Sequence, residues 1–168
     1  LDLEHRILDL ARTDFLTGVL NRRAFMERME QEMHRAARQD SHVSLILADL
    51  DFFKKINDKY GHNAGDEVLR RFTEGISACL RPYDFVGRYG GEEFLVCLPG
   101  VNESQAKIVA ERMRKRTEQL TVILPEAFGP VGITASFGVT SRLMGSEETL
   151  MSMTQHADDA MYKAKREG

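Results

Sequence analysis

With 168 residues, 42% of them apolar and 29% charged, the chain has the length and composition of one ordinary globular domain and not of a disordered tail. A formal net charge of −3 argues against a duplex nucleic-acid binder, which needs a basic stripe, but leaves room for a nucleotide whose charge is carried by a metal. Cys79 and Cys97 are too few and too far apart for a disulfide framework or zinc site and read as buried thiols; with no bilayer-length apolar run and no signal peptide, the expected setting is cytoplasmic, without membrane contact.

The chain opens in mid-helix pattern, as a piece of a longer and even membrane-anchored parent would. Leu3, Ile7 and Leu10 follow the spacing of a coiled-coil seam. At under two heptads, a frayed helix packing on its own domain is an equal reading. Residues 1–13 are therefore set apart as a stub helix from a domain spanning 14–168. Thr13 or Asp14 can cap the next element. Asn21 is expected to cap a helix from Arg22 to about Gln39, with Phe25, Met29 and Met33 on one face.

Val43–Leu50 is a dense apolar run without Gly or Pro, expected as a central strand. It ends in Asp49-Leu50-Asp51. A helix is predicted from about Phe52 to Tyr60, then a break over Gly61-His62-Asn63-Ala64-Gly65, then a helix from Asp66 to about Leu80. Phe85–Tyr89 and Phe94–Leu98 flank Gly90-Gly91, the pattern of a two-residue hairpin turn whose glycines can both take positive φ. The remaining expectations are a helix from Ser104 to about Leu120, a short strand at Thr121–Leu124, a strand at Val131–Thr140, and a closing helix from Glu147 to Arg166. Together they predict an α/β sandwich, with a central mixed, mainly antiparallel sheet flanked by helices.

Glu92 and Glu93 open the second hairpin strand where an apolar-polar alternation would normally start. Carboxylates beside glycines that let a ligand approach the backbone point to a metal or phosphate site. Asp49 and Asp51, at i and i+2, share a face at the carboxyl end of the central strand. Asp51 also reads as the N-cap of the following helix, whereas Asp49 lies inside the apolar run and needs a cation there. If the two strands are neighbours, Asp49 and Glu92 converge at one edge of the sheet, and a few hard oxygen ligands suit Mg²⁺. Lys54, in the first turn of the next helix, and Lys165, in the last turn of the closing one, are each a surface lysine taken alone. Near such a metal they would grip a polyphosphate. Asn57 and Asp66 could read a guanine edge, the carboxylate accepting both N1–H and N2–H₂; from spacing alone Asp66 reads better as an N-cap.

Arg88-Tyr89-Gly90-Gly91-Glu92-Glu93-Phe94 and Asp49-Leu50-Asp51-Phe52-Phe53-Lys54-Lys55-Ile56-Asn57-Asp58 together resemble the GGDEF family of diguanylate cyclases. Gly61-His62-x-x-Gly65-Asp66, the opening Asp14-x-Leu16-Thr17-Gly18-x-Leu20-Asn21-Arg22-Arg23, and Ala160-Met161-Tyr162-Lys163-Ala164-Lys165 extend the likeness in the right order over almost the whole chain. The resemblance implies a nucleotidyl-cyclase, polymerase-palm-like sheet and the joining of two GTP into cyclic di-GMP with release of two pyrophosphates. It implies that Asp49, the Leu50 carbonyl and Glu92 hold Mg²⁺, or Mn²⁺ in its place, with Glu92 accepting the 3′-hydroxyl proton and Glu93 supporting it. By the same likeness Asn57, His62 and Asp66 contact the guanine nucleotide. Lys54, Lys165 and the Phe52 and Phe53 backbone fall at phosphates, beside Gly90 and Gly91.

Arg81-Pro82-Tyr83-Asp84 matches the family's inhibitory Arg-x-x-Asp motif, which implies a second site gripping the product through Arg81 and Asp84, completed by Arg112. A homodimer with one GTP per domain is implied, and it gives the stub helix a use as a stalk. The family's pattern carries a further phosphate-binding arginine beyond position 168. Val19 for the more usual leucine is conservative. The competing readings are a silent GGDEF module that binds GTP or cyclic di-GMP, against which Glu92 speaks, and an ATP-using palm cyclase, against which Asp66 speaks. A nucleic-acid polymerase palm is disfavoured by the chain's small size and lack of a basic groove.

Overall fold

Apolar side chains alternate along a strand at His42–Leu50 (β1), and this alternation sorts the molecule into layers. Val43, Leu45 and Leu47 face one core, while Ile46, Ala48 and Leu50 face another. The computed structural model describes residues 3–125, 127, 129–143 and 150–167, with only the backbone of residues 8–10.

In chain order, α1 (Leu3–Leu10) leads through a turn to α2 (Arg22–Arg38) and β1, which is followed by α3 (Phe53–Tyr60) and α4 (His62–Ser77). β2 (Phe85–Arg88) and β3 (Glu93–Pro99) form the hairpin, then come α5 (Glu103–Gln119), β4 (Thr121–Val122), β5 (Val131–Gly132), β6 (Ala135–Leu143) and α6 (Leu150–Glu167). The main sheet has the order β2-β3-β1-β6 and every strand pair in it is antiparallel; β4 and β5 form a separate two-stranded ribbon. Helices α4 and α5 cover one face and α2 and α6 the other, each over its own apolar cluster. The α/β sandwich expected from sequence is therefore the fold, with its main sheet wholly antiparallel instead of mixed.

Local chemistry accounts for the boundaries. The Asn21 side chain accepts from the Ala24 amide at 2.9 Å and caps α2, as predicted. Asn102 caps α5 within a capping box closed by Gln105, so that helix starts one residue before the predicted Ser104. The break before α4 is narrower than predicted. Gly61, at φ 91°, alone ends α3 and begins α4, and Asp66 lies inside the helix instead of capping it. The strand expected over Val131–Thr140 is split between β5 and β6. Leu3 and Ile7 are exposed, so the frayed-helix reading does not hold for them; the Leu10 side chain and residues 147–149 lie outside the described residues.

The N-terminal segment is stitched to the β2 edge of the sheet. Leu20 N donates to Val86 O at 3.2 Å, and Arg88 N donates to Leu20 O at 2.9 Å, a parallel bridge beside Gly87. At the opposite edge, Gly138 lets α6 approach β6 closely. A Cβ there would overlap the Ala157 carbonyl oxygen and the Met161 amide nitrogen, both backbone atoms of α6. Backbone cannot swing aside as a side-chain tip can, so Gly138→Ala is expected to cost about 1–3 kcal/mol in urea unfolding. An unchanged midpoint would show that α6 does not depend on this approach.

Candidate active site

The carboxyl end of β1 carries the densest chemistry. Registration of β1 with β3 sets Asp49 directly opposite Glu93, and registration with β6 sets it opposite Ser136. The Leu50 amide donates to the Glu92 carbonyl at 3.2 Å, tying the hairpin tip to the strand end. The two strands are neighbours, so the backbone of Glu92 lies beside the end of β1 that carries Asp49, between the two central strands and not at an edge of the sheet. The side chain facing Asp49 in register is Glu93.

Asp49 has an unequal pair of carboxylate oxygens. Oδ2 takes Lys165 Nζ at 3.1 Å, while Oδ1 is buried with no hydrogen-bond partner among the described residues. Burial pushes the Asp49 carboxyl above its ordinary pKa, against the hydrogen bond and charge of Lys165. Glu93 is raised as well, first by burial and then by repulsion from Asp49, Asp158 and Glu92. Asp158 had no place in the sequence reading. It stands seven residues before Lys165 on α6, a spacing that returns to the same helix face after two turns.

Asp51 does not cap α3. Its two oxygens accept from Ser136 Oγ at 2.7 Å and Thr134 Oγ1 at 2.9 Å, so the start of β6 and the residue before it hold it. The residue at the N-cap position is Phe52, left-handed at φ 58° and exposed, and no side chain caps the helix. A bulky residue in that region is strained, and the first-turn amides of α3 keep no side-chain acceptor. Lys54 is exposed on this turn. Asn57 is half-buried with an unpartnered, buried Oδ1; His62 is exposed at the start of α4 and Asp66 half-buried one turn on.

The hairpin turn also differs from the expected two-residue form. Tyr89–Glu92 link the strands, with the Tyr89 and Gly90 amides both donating to Glu93 O, and neither Gly90 nor Gly91 has a left-handed φ. Around Gly91 the space where a Cβ would stand is open. Arg88 braces the turn by donating to Gly91 O from Nη2 at 2.8 Å and Nε at 3.2 Å. Its Nη1 reaches Asp14, whose carboxylate also takes the Thr17 amide and hydroxyl. Although burial alone would raise it, these Thr17 bonds and the Arg88 charge hold the Asp14 carboxyl below its ordinary range.

Arg81 and Asp84 meet, but in each other's grip. Arg81 Nη2 lies 2.7 Å from Asp84 Oδ1 and its Nε 3.0 Å from Oδ2, while Nη2 also donates to Pro99 O. The Asp84 side chain is 3% exposed, so its carboxylate is committed to Arg81. Arg112 is exposed on α5, where its charge acts on the Cys79 thiol. It does not line the groove beside Arg81, which Gly18, Leu20, Ser77, Leu80 and Val86 help to form.

For a hard cation the available donors are the Asp49, Glu92 and Glu93 carboxylates. Among the described residues, no three His, Cys, Asp or Glu side chains are gathered closely enough to form a ready-made metal site.

The profile described as "Diguanylate cyclase, GGDEF domain" matches residues 11–168. The chain is 39% identical over 167 residues to the response regulator PleD of Caulobacter vibrioides, covering 99% of this chain and 36% of PleD. It spans about a third of the length of that relative. The coiled coil and GGDEF domain of DgcB from Caulobacter crescentus, in complex with c-di-GMP, superposes with a TM-score of 0.92 at 30% identity, covering 98% of this chain and 86% of that one. The active GGEEF domain of a diguanylate cyclase from Vibrio cholerae superposes with a TM-score of 0.79 at 33% identity, covering 88% of this chain and 92% of that one.

The raised acids have a consequence for stability. The folded protein holds the Glu93 proton more tightly than the unfolded chain, so this group's contribution falls as pH rises from its ordinary value of 4.5 through the folded pKa. Glu93→Gln removes that penalty. Its urea midpoint is expected to exceed the parent's at about pH 8 and to match it at about pH 4. An equal difference at both values would mean that repulsion among the acids is not its cause.

Proposed function

The chain belongs to the GGDEF family of diguanylate cyclase domains, and from that premise we propose that it condenses two GTP into cyclic di-GMP and two pyrophosphates as a homodimer. The observation that carries the proposal is the buried, unpartnered Asp49 oxygen held in register with Glu93 and tied to Glu92 through Leu50. A buried, unpaired carboxylate oxygen beside further acids favours a positive charge, and the donor set suits Mg²⁺ or Mn²⁺. Asp49, the Leu50 carbonyl and Glu92 would hold such an ion, which would supply positive charge for the phosphate oxygens and the departing pyrophosphate.

The protein's own groups then have distinct tasks. Asn57, His62 and Asp66 receive the guanine nucleotide. The uncapped first turn of α3, aimed by the left-handed Phe52, offers amides to phosphate oxygens, and Lys54 adds charge. Lys165, which holds Asp49 Oδ2 at 3.1 Å, is placed to lend its charge to a phosphate bound beside that carboxylate. The open space at Gly91 admits the ligand to the hairpin tip, and Glu92 accepts the proton of the 3′-hydroxyl as its oxygen attacks the α-phosphorus in line with pyrophosphate. Glu93 keeps the local charge negative enough to recruit the metal. One domain holds one GTP, so two must face each other with their nucleotides antiparallel. Exposed Leu3 and Ile7 on α1 suit a stalk that brings them together.

Product is expected to bind at Arg81 with Asp84 orienting the guanidinium, which makes Asp84 a brace for Arg81 and not a free acceptor. Arg112 would join only from its separate place on α5.

Incubation with GTP and Mg²⁺ is expected to yield cyclic di-GMP at a rate per domain that rises with protein concentration. Glu92→Gln is expected to lower that rate at least about 100-fold while leaving the circular dichroism spectrum intact. No product at high protein concentration would overturn the proposal. Arg81→Ala is expected to weaken inhibition by added cyclic di-GMP about tenfold or more. Unchanged inhibition would place the second site elsewhere.

A further inference from the structure

Gly65 is the fourth residue of α4, buried, and its backbone does not lie in the left-handed region. Neither a turn nor a positive φ accounts for glycine there, and in a helix it is worse than alanine. The reason lies across the joint at Gly61. This one residue folds α3 back against α4, with its amide donating to Asn57 O at 2.8 Å. A Cβ on Gly65 would overlap Asn57 Oδ1, and would stand 2.9 Å from Asn57 Cγ and 3.2 Å from Phe53 Cζ. These three nearest atoms all belong to side chains.

Asn57 Oδ1 is also buried with no hydrogen-bond partner among the described residues. A buried amide oxygen left unpaired is costly, and a flexible side chain would normally turn to find a donor. Here the carboxamide lies in the slot that the missing Gly65 side chain leaves open, beside the helical turn that carries Asp66.

We infer that Gly65 is a specificity-determining positioning residue: its bare Cα seats the Asn57 carboxamide in the orientation that reads the base of the bound nucleotide. The inference rests on the reading of Asn57 as a guanine contact. An added methyl at position 65 meets the tip of a flexible side chain, not a helix backbone. Alanine is therefore accommodated by turning the carboxamide away, which leaves the fold in place and removes the base contact.

The test is a double-mutant cycle read by calorimetric binding of a non-cyclisable GTP analogue and its ATP counterpart, with thermal unfolding alongside. Gly65→Ala is expected to melt close to the parent and to bind the GTP analogue about tenfold more weakly, with binding of the ATP counterpart unchanged. Asn57→Ala alone should cause a loss of similar size, and adding Gly65→Ala to it should cause no further loss. Equal losses from Gly65→Ala with and without Asn57 would overturn the inference, because Gly65 would then act through something else. So would a Gly65→Ala protein that does not fold, or one that binds GTP as the parent does. If instead Asn57→Ala binds the analogue normally, the guanine reading itself fails, and that result is told apart by the single Asn57 variant.

Discussion

A carboxylate taken out of water at the end of a central strand is the constraint around which the site is arranged. Asp49 sits where its two neighbouring strands leave no room for solvent to satisfy both oxygens. Coulomb attraction from Lys165 meets part of that demand, and Glu93 and Asp158 make it larger. Such a cluster lowers the stability of the fold, as expected of groups held ready for a ligand. The surrounding structure offsets the strain with ordinary means: two apolar layers, a close β6–α6 approach, and hydroxyls from Thr134 and Ser136 that keep Asp51 separately satisfied.

Much of the layer order was legible in the sequence because β1 is a dense apolar run, as a strand buried on both faces must be, and α2 shows one apolar face. Asn21 was recognisable as a cap because its type and place admit few other uses. The misses share a physical cause. Asp66 looked like a helix cap because Gly65 looked like a breaker, yet that glycine serves packing against Asn57, not chain reversal. Gly90 and Gly91 suggested a tight two-residue turn, but the bonds that the Tyr89 and Gly90 amides make to Glu93 O widen it. In each case the expectation came from residue type alone, and a specific contact, with Asn57 on α3 or with Glu93 at the start of β3, accompanies the different outcome. Adjacency of β1 and the hairpin followed from pattern, but that Glu93 faces Asp49 depends on strand register, and Asp158 was missed because its importance depends on α6 lying across β6. The commitment of Asp84 to Arg81 was equally invisible, since a tetrapeptide does not show which way its charges turn.

The two halves of the candidate site are held by different kinds of force. The acidic half is fixed by strand register, which permits no sliding by a single residue without turning every side chain to the other face. The half around Asn57 depends on α3 and α4 meeting at one glycine, where side-chain volume sets the geometry. Substitutions are accordingly felt in different ways: through charge in the first half and through shape in the second.

Leu20 bears on how the domain behaves among other chains. By bridging to β2 it covers part of a sheet edge that would otherwise present unpaired amides and carbonyls to any passing strand. Asn21 and Arg12 are joined through the same turn, so this cover is part of the segment that connects α1 to the sheet. Detaching that segment would lay bare a sticky border of the sheet. The N-terminal turn thus doubles as a guard against aggregation.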